Sequence, residues 1–241
     1  MNDRRQFIKL AAIAAAVVGT GTLHSVHAET ATSSRIGIIG SGKVGSALGR
    51  TWIYRGHEVM FSSRNLDSDK ALADELGGKA RAGTPAQAAA FGEAVLIAVP
   101  YGALPDVSQK LGGALQGKVV IDACNPFPAR DGEIATRALE EGVGVTSARL
   151  LPGARIVRAF NAIGASRMGT AIESPGKIGM PIAGDDAEAI SLVSRLVRDI
   201  GYEPVLVGGL DMGKYLMPGT PLAGEHTPDE IRAIVAKLKA Q

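Results

Sequence analysis

The sequence predicts an α/β fold: a doubly wound, mostly parallel sheet with a small C-terminal elaboration. Three observations lead there. Short, continuous Val/Ile/Leu segments recur, as in RIGIIG, AVLIAVP and KVVIDAC. Stretches with helical apolar spacing separate them. Strands that are apolar on both faces belong to parallel sheets covered by helices on both sides. The chain has 241 residues, 46% of them apolar, enough for a sizeable core.

Each element follows from its residues. RIGIIG, from Arg35, reads as a buried strand. In Lys43–Arg55 the apolar residues Val44, Ala47, Leu48 and Trp52 share one helix face. HEVMFS is the second strand. Asp67–Leu76 reads as a helix stopped by Gly77 and Gly78. TPAQ at Thr84–Gln87 has the capping-box order, with Pro85 at the first helical position. AVLIAVP (Ala94–Pro100), KVVIDAC (Lys118–Cys124) and RIVRAF (Arg155–Phe160) are further strands. KIGMPIAG precedes a long helix expected to open at Asp185, with Glu188 three residues on. EPVLVG is a last short strand, and TPDE at Thr227–Glu230 opens a terminal helix. No Pro/Ser-rich linker divides residues 35–241, which read as a single domain.

The first residues read as an address rather than fold. DRRQFIK, with Arg4, Arg5, Phe7, Ile8 and Lys9, resembles a twin-arginine export signal. A mild apolar run follows, then HSVHA, with Val26 and Ala28 suited to cleavage after Ala28. The apolar run is shorter than the roughly 20 residues that cross a bilayer, although an uncleaved anchor is the alternative. Residues 1–28 are therefore expected to be a signal peptide recognised by the twin-arginine export machinery, with the product periplasmic or otherwise exported. Residues 29–34 (ETATSS) form a polar linker. The whole net charge of +2 resides in that leader, where Arg4, Arg5 and Lys9 face only Asp3. The neutral remainder argues against nucleic acid as a partner. The single cysteine, Cys124, excludes an internal disulfide and a cysteine-cluster metal site.

Glycine is abundant, 31 of 241 residues against a usual share of about 7%. Three glycines stand out. Gly40, Gly42 and Gly45 fall in G-x-G-x-x-G order directly after a buried strand and at the start of a helix. This is the context in which the motif binds a dinucleotide, and it makes the sheet Rossmann-type. Gly40 permits the tight turn, Gly42 lets backbone approach a pyrophosphate, and Gly45 lets helix and strand pack closely. The helix N-terminus offers N–H groups and partial positive charge to the phosphates. An NAD-preferring site places Asp or Glu at the end of the second strand, about 20 residues on. Here Ser62, Ser63 and Arg64 stand there, with Asn65 next. Hydroxyls and a guanidinium donate to a phosphate dianion, so NADP is the expected cofactor. Lys43 and Asn65 would assist.

These residues, together with VLIAVPYGALPDV, KVVIDACNPF and RIVRAFNAIGA, resemble the coenzyme F-420-dependent NADP reductases and related oxidoreductase domains, including those of membrane metalloreductases. The resemblance spans about Arg35 to Gly208. It implies hydride passage between NADPH and a deazaflavin, or a flavin such as FMN, stacked on the nicotinamide. By that resemblance Gly40, Ser41, Gly42, Lys43, Val44 and Gly45 hold the pyrophosphate, and Ser63 and Arg64 hold the 2′-phosphate. Val99 and Pro100 border the cofactor. Asn125-Pro126 and the run from Asn161 through Ala162 to Gly164 line the nicotinamide and acceptor side. The family also implies a homodimer. Its members are mostly cytoplasmic, and the C-terminal PGTPLAGEHTPDE matches none of its motifs.

No catalytic acid or base stands out, as direct hydride transfer permits. His57 and His226 read as structural, Asp122 as a loop anchor, and Cys124 as packing. Met212, Tyr215 and Met217 would either floor an acceptor pocket or pack into the core. Two alternatives stay open: an NADP-dependent reductase of a small carbonyl or imine, and an exported NADP-binding module without turnover.

Overall fold

A computed structural model describes residues 33–240; the segment read as an export signal lies outside the described residues. The sheet has eight strands: β1 (Arg35–Ile39), β2 (Glu58–Ser62), β3 (Ala80–Ala82), β4 (Ala94–Ile97), β5 (Val119–Asp122), β6 (Arg155–Arg158), β7 (Gly179–Gly184) and β8 (Glu203–Gly208). Their spatial order is β3-β2-β1-β4-β5-β6-β7-β8. Every pairing is parallel except β6 with β7. The doubly wound, mostly parallel sheet expected from the sequence is therefore present, and the strand order reverses beside β1.

The side-chain period of two sorts the core onto two faces. Ile36 and Ile38 of β1, Ala94 and Leu96 of β4, and Val119 and Ile121 of β5 belong to one cluster. Helices α1 (Lys43–Tyr54) and α8 (Ala187–Asp199) close it, through Leu48 and Trp52 and through Val193 and Leu196. Trp52 is fully buried and its Nε1 donates to the Leu196 carbonyl at 2.9 Å. Ile39, Val95, Ile97 and Val120 point the other way. They are covered by α3 (Pro85–Phe91), α4 (Leu104–Leu111), α6 (Glu133–Glu141) and α7 (Val143–Leu150). The remaining helices are α2 (Leu66–Leu76), the single turn α5 (Pro128–Asp131) and α9 (Pro228–Lys239). A third cluster, with Val205, Val207, Leu216, Leu222 and Ile231, packs α9 and the C-terminal segment onto β7 and β8. This is the small C-terminal elaboration.

Local rules set the element ends. Thr84 and Thr227 each form a full capping box, with Gln87 and Glu230. Gly77 ends α2 with φ of +80°. The N-cap of α8 is Asp186 rather than the expected Asp185; its side chain accepts from Ala189 N at 2.8 Å. Asp185 instead accepts from Leu210 N at 3.0 Å and ties in the C-terminal segment. Ser34, at the end of the segment read as a linker, is already buried and donates its N–H to His57 Nδ1 at 3.1 Å.

Candidate functional site

A cavity of about 520 Å³ opens past the C-terminal ends of β1, β2 and β4. Three walls form it. The first is the glycine turn Ile39–Gly42, and the second is the β2 tip, Ser63, Arg64 and Asn65. The third is β4's end, Ala98–Pro100, continued by one face of α4 and the turn before it: Ala103, Asp106, Val107 and Lys110.

The glycines act as their chemistry requires. Gly40 has φ of +101°, and a Cβ there would lie 2.4 Å from the Ala98 carbonyl oxygen. A Cβ on Gly45 would lie 2.1 Å from the Gly40 carbonyl oxygen, so α1 sits hard against the turn. A Cβ on Gly42 would meet nothing within 4 Å. Sterics inside the protein do not demand that glycine; it leaves space beside the cavity. Gly42 is also the N-cap of α1, and no side chain caps the helix. Its first N–H groups thus have no side-chain cap, the arrangement that can receive an anion.

The β2 tip divides its residues. Ser62 is fully buried and its Oγ donates to the Ile38 carbonyl at 2.7 Å, outside the cavity lining. Ser63 lines the cavity, yet its Oγ lies 2.9 Å from Asp69 Oδ2 and accepts from Asn65 N at 3.1 Å. Ser41 Oγ donates to Asp69 Oδ1. Asn65 caps α2, its Oδ1 accepting from Ser68 N at 3.1 Å. Arg64 lines the cavity, is exposed, and has no hydrogen-bond or ion-pair partner among the described residues. Lys43 is exposed at the start of α1, and Val44 and Gly45 stand behind the turn rather than in the lining.

Val99 and Pro100 line the cavity; Asn125 and Ala162 do not. They lie farther along the same sheet edge. Asn125 Nδ2 donates to the Asn161 carbonyl at 2.8 Å, joining the ends of β5 and β6. Phe160, just before, holds φ of +67° and is locked edge-on between Trp52 and Tyr202, at centroid distances of 6.0 and 6.3 Å. Such a conformation costs on the order of 1–3 kcal/mol and persists where packing enforces it. It turns the chain so that Asn161 and Ala162 follow the sheet edge. Gly224 N donates to the Ala162 carbonyl at 2.9 Å, so the C-terminal segment braces this loop.

The titratable groups near this edge are committed. Asp122 Oδ2 accepts from Arg158 Nη1 at 2.6 Å, both side chains wholly buried, and Asp122 Oδ1 accepts from Cys124 N at 2.9 Å. Burial pushes the Cys124 thiol well above its usual range. Burial pushes Tyr101 up to about 12. His57 lies beyond the opposite end of β2, its Nε2 3.2 Å from Asp199 Oδ2, and burial lowers its pKa. His226 Nε2 lies 3.1 Å from the Ala223 carbonyl oxygen. Met217 is buried, while Met212 and Tyr215 pack against the third cluster; all three serve the core.

Two features of the site were not singled out in the sequence. The α4 face follows i, i+3, i+4, i+7 spacing, a signal present in YGALPDVSQKL. Asp69 is fully buried on α2. It occupies the same stripe as Leu72, Ala73 and Leu76, so a carboxyl on an apolar helix face was its signal.

Residues 35–126 match the family described as NADP oxidoreductase, coenzyme F420-dependent. The F420-dependent NADP reductase of Methanothermobacter marburgensis is 32% identical over 200 residues, covering 76% of this chain and 87% of the relative. The chain belongs to the F420-dependent NADP reductase family. It is an NADP oxidoreductase. The enzyme of the same name from Methanothermobacter thermautotrophicus is 28% identical over 202 residues, covering 78% of this chain and 87% of its own. Among solved structures, a hypothetical protein of Sinorhizobium meliloti superposes with a TM-score of 0.67 at 25% identity, covering 81% of this chain and 95% of that one. This family member thus shares its fold along nearly the whole of that protein.

Proposed function

We propose that this chain transfers hydride between NADP(H) and a deazaflavin of the coenzyme F420 class. One observation carries the cofactor half. Arg64, unpaired among the described residues, stands at the β2 tip on the cavity rim where an NAD-selective site carries an acid. Its planar fork matches a phosphate monoester. The open space at Gly42 and the uncapped start of α1 fit a pyrophosphate. The acceptor half draws on the relatives named F420-dependent NADP reductase.

The chain's task is binding and alignment. Bound NADPH supplies the hydride. The N–H groups of α1 would hold the pyrophosphate and Arg64 the 2′-phosphate. Val99, Pro100 and the Asn125–Asn161 bridge would form the wall toward the reacting ring. Transfer between two stacked rings depends on distance and orientation. The engagement of Asp122 by Arg158 and Cys124 N, and the burial of the Cys124 thiol, support a reaction in which neither group moves a proton.

Mixing the purified protein with NADPH and either the deazaflavin or FMN tests this, with NADPH absorbance followed. Oxidation with the deazaflavin is the expected result. Oxidation with FMN alone would reassign the acceptor. NADP binding without oxidation by either would make the protein a binding module.

We also propose that the Arg4-Arg5 segment directs the folded chain through the twin-arginine machinery to the periplasm. Cell fractionation of the native chain and a double Arg4→Lys, Arg5→Lys variant tests it. Equal distribution of the two would overturn the proposal.

A further inference from the structure

The β2 tip lacks an acid, yet a carboxyl group lies directly beneath it. Asp69, in the early turns of α2, is fully buried. Its Oδ1 accepts from Ser41 Oγ, in the glycine turn, and its Oδ2 from Ser63 Oγ, at the β2 tip. No Lys or Arg pairs with it among the described residues. A buried carboxyl without a cation is costly unless hydrogen bonds satisfy it. Here two hydroxyls do so, one from each phosphate-binding wall of the cleft. The rest of that helix stripe, buried Ala73 and partly buried Leu72 and Leu76, packs without any such group.

We propose that Asp69 is the positioning residue for NADP selectivity: by clamping Ser41 and Ser63 through their hydroxyls, it sets the span between the pyrophosphate turn and the 2′-phosphate tip. The proposal rests on the NADP reading above. The two ends of the cofactor are joined by a fixed covalent length, so their donors must be held at a matching separation. Gly40 N donates to the Ser62 carbonyl at 2.8 Å and registers the backbones. The Asp69 clamp registers the side that faces the cleft. Each hydroxyl carries one proton; Asp69 takes that of Ser41 and, at 2.9 Å against 3.3 Å for the Asn65 carbonyl, that of Ser63. The phosphates are therefore left to backbone N–H groups and to Arg64, with Ser63 Oγ, which accepts from Asn65 N at 3.1 Å, fixing the backbone on the far side of Arg64.

The test is calorimetric titration of NADP and NAD into the wild-type protein and the Asp69→Asn, Ser63→Ala and doubly substituted variants. Asp69→Asn keeps the shape but replaces one acceptor oxygen by a donor. It is expected to weaken NADP about tenfold, the order of one misaligned hydrogen bond to a charged group, and NAD much less. Ser63→Ala should give a similar NADP loss, and the double variant little more than either alone, since both break one clamp. A merely structural role would weaken both dinucleotides alike and would overturn the proposal. So would Asp69→Asn binding NADP as well as or better than wild type, because the freed hydroxyls would then serve the phosphate directly. Additive losses in the double variant would make Ser63 itself a phosphate donor, and the clamp would again be overturned. If Asp69→Asn does not fold, Ser41→Ala takes its place: a wild-type NADP-to-NAD ratio in Ser41→Ala or Ser63→Ala, or additive losses when the two are combined, overturns the clamp. A wild-type protein that does not distinguish the dinucleotides would remove the NADP reading itself, a separately visible result.

Discussion

Replacing Arg64 by Ala isolates the charge at the cleft rim. The guanidinium is exposed and makes no hydrogen bond or ion pair among the described residues, so its loss breaks no bond within the fold. On the function proposed above, what it removes is an interaction with the ligand. Hydrogen bonds to charged groups contribute about 1.5–3 kcal/mol. At about 1.4 kcal/mol per decade, NADP affinity should fall about 10- to 100-fold. NAD offers only hydroxyls at that point, and its affinity should stay within about twofold, as for an ordinary surface change. Calorimetric titration of both dinucleotides into both proteins reads the difference. Arg64→Lys keeps the charge without the planar fork and should fall between the two. Raising the salt should shrink the wild-type advantage, because a rim charge is screened. Equal losses for NADP and NAD would refute the reasoning, since Arg64 would then touch a part that both share. No loss for either would make the side chain a solvated loop residue.

Three further outcomes follow from the geometry. Gly42→Ala should fold with an unchanged melting temperature, since its methyl meets nothing, yet lose dinucleotide binding; Gly40→Ala, with φ of +101° and a carbonyl oxygen 2.4 Å from the new Cβ, should lose stability as well. Arg158→Met leaves Asp122 buried without its cation, and denaturant unfolding should show a loss of about 3–5 kcal/mol, largely restored by adding Asp122→Asn. The buried His57 has a folded pKa below its unfolded value of about 6.5, so the unfolded chain binds the proton first and stability should fall as pH drops below about 6.5. His57→Gln should flatten that part of the melting-temperature profile, and an unchanged slope would show that other groups set it.

The sheet and its glycine turn were legible because their signals are local. A glycine that must adopt positive φ, a capping box at Thr84, and an all-apolar strand each declare themselves within a few residues. What was missed depends on distant neighbours. Asp185 and Asp186 are the same residue type side by side, and only the contact of Asp185 with Leu210 decides which one caps α8. The helices between 128 and 150 are short because Gly132 and Gly142 break them, so no long periodic run was there to read. β3 has only three residues, none of them buried, and β7 runs against β6, and neither fact is written in composition. Ser62 and Ser63 look equivalent as letters, yet strand alternation turns the first into the sheet and the second to the cleft. The β2 tip carries no acid of its own, whereas Asp69 meets the hydroxyls of Ser41 and Ser63 from the next helix, behind the cavity lining.

The brace between Gly224 and the Ala162 carbonyl has a consequence for how this scaffold changes its chemistry. The stretch beyond β8 shares a hydrophobic core with two strands and also props up the loop beside Asn161. It behaves as masonry, not as a hinged door. If the Asn161 loop borders the acceptor, as proposed above, reshaping it to admit a different hydride partner would disturb the foundations of the sheet's far edge, so altered partner preference and altered heat tolerance should be inherited together.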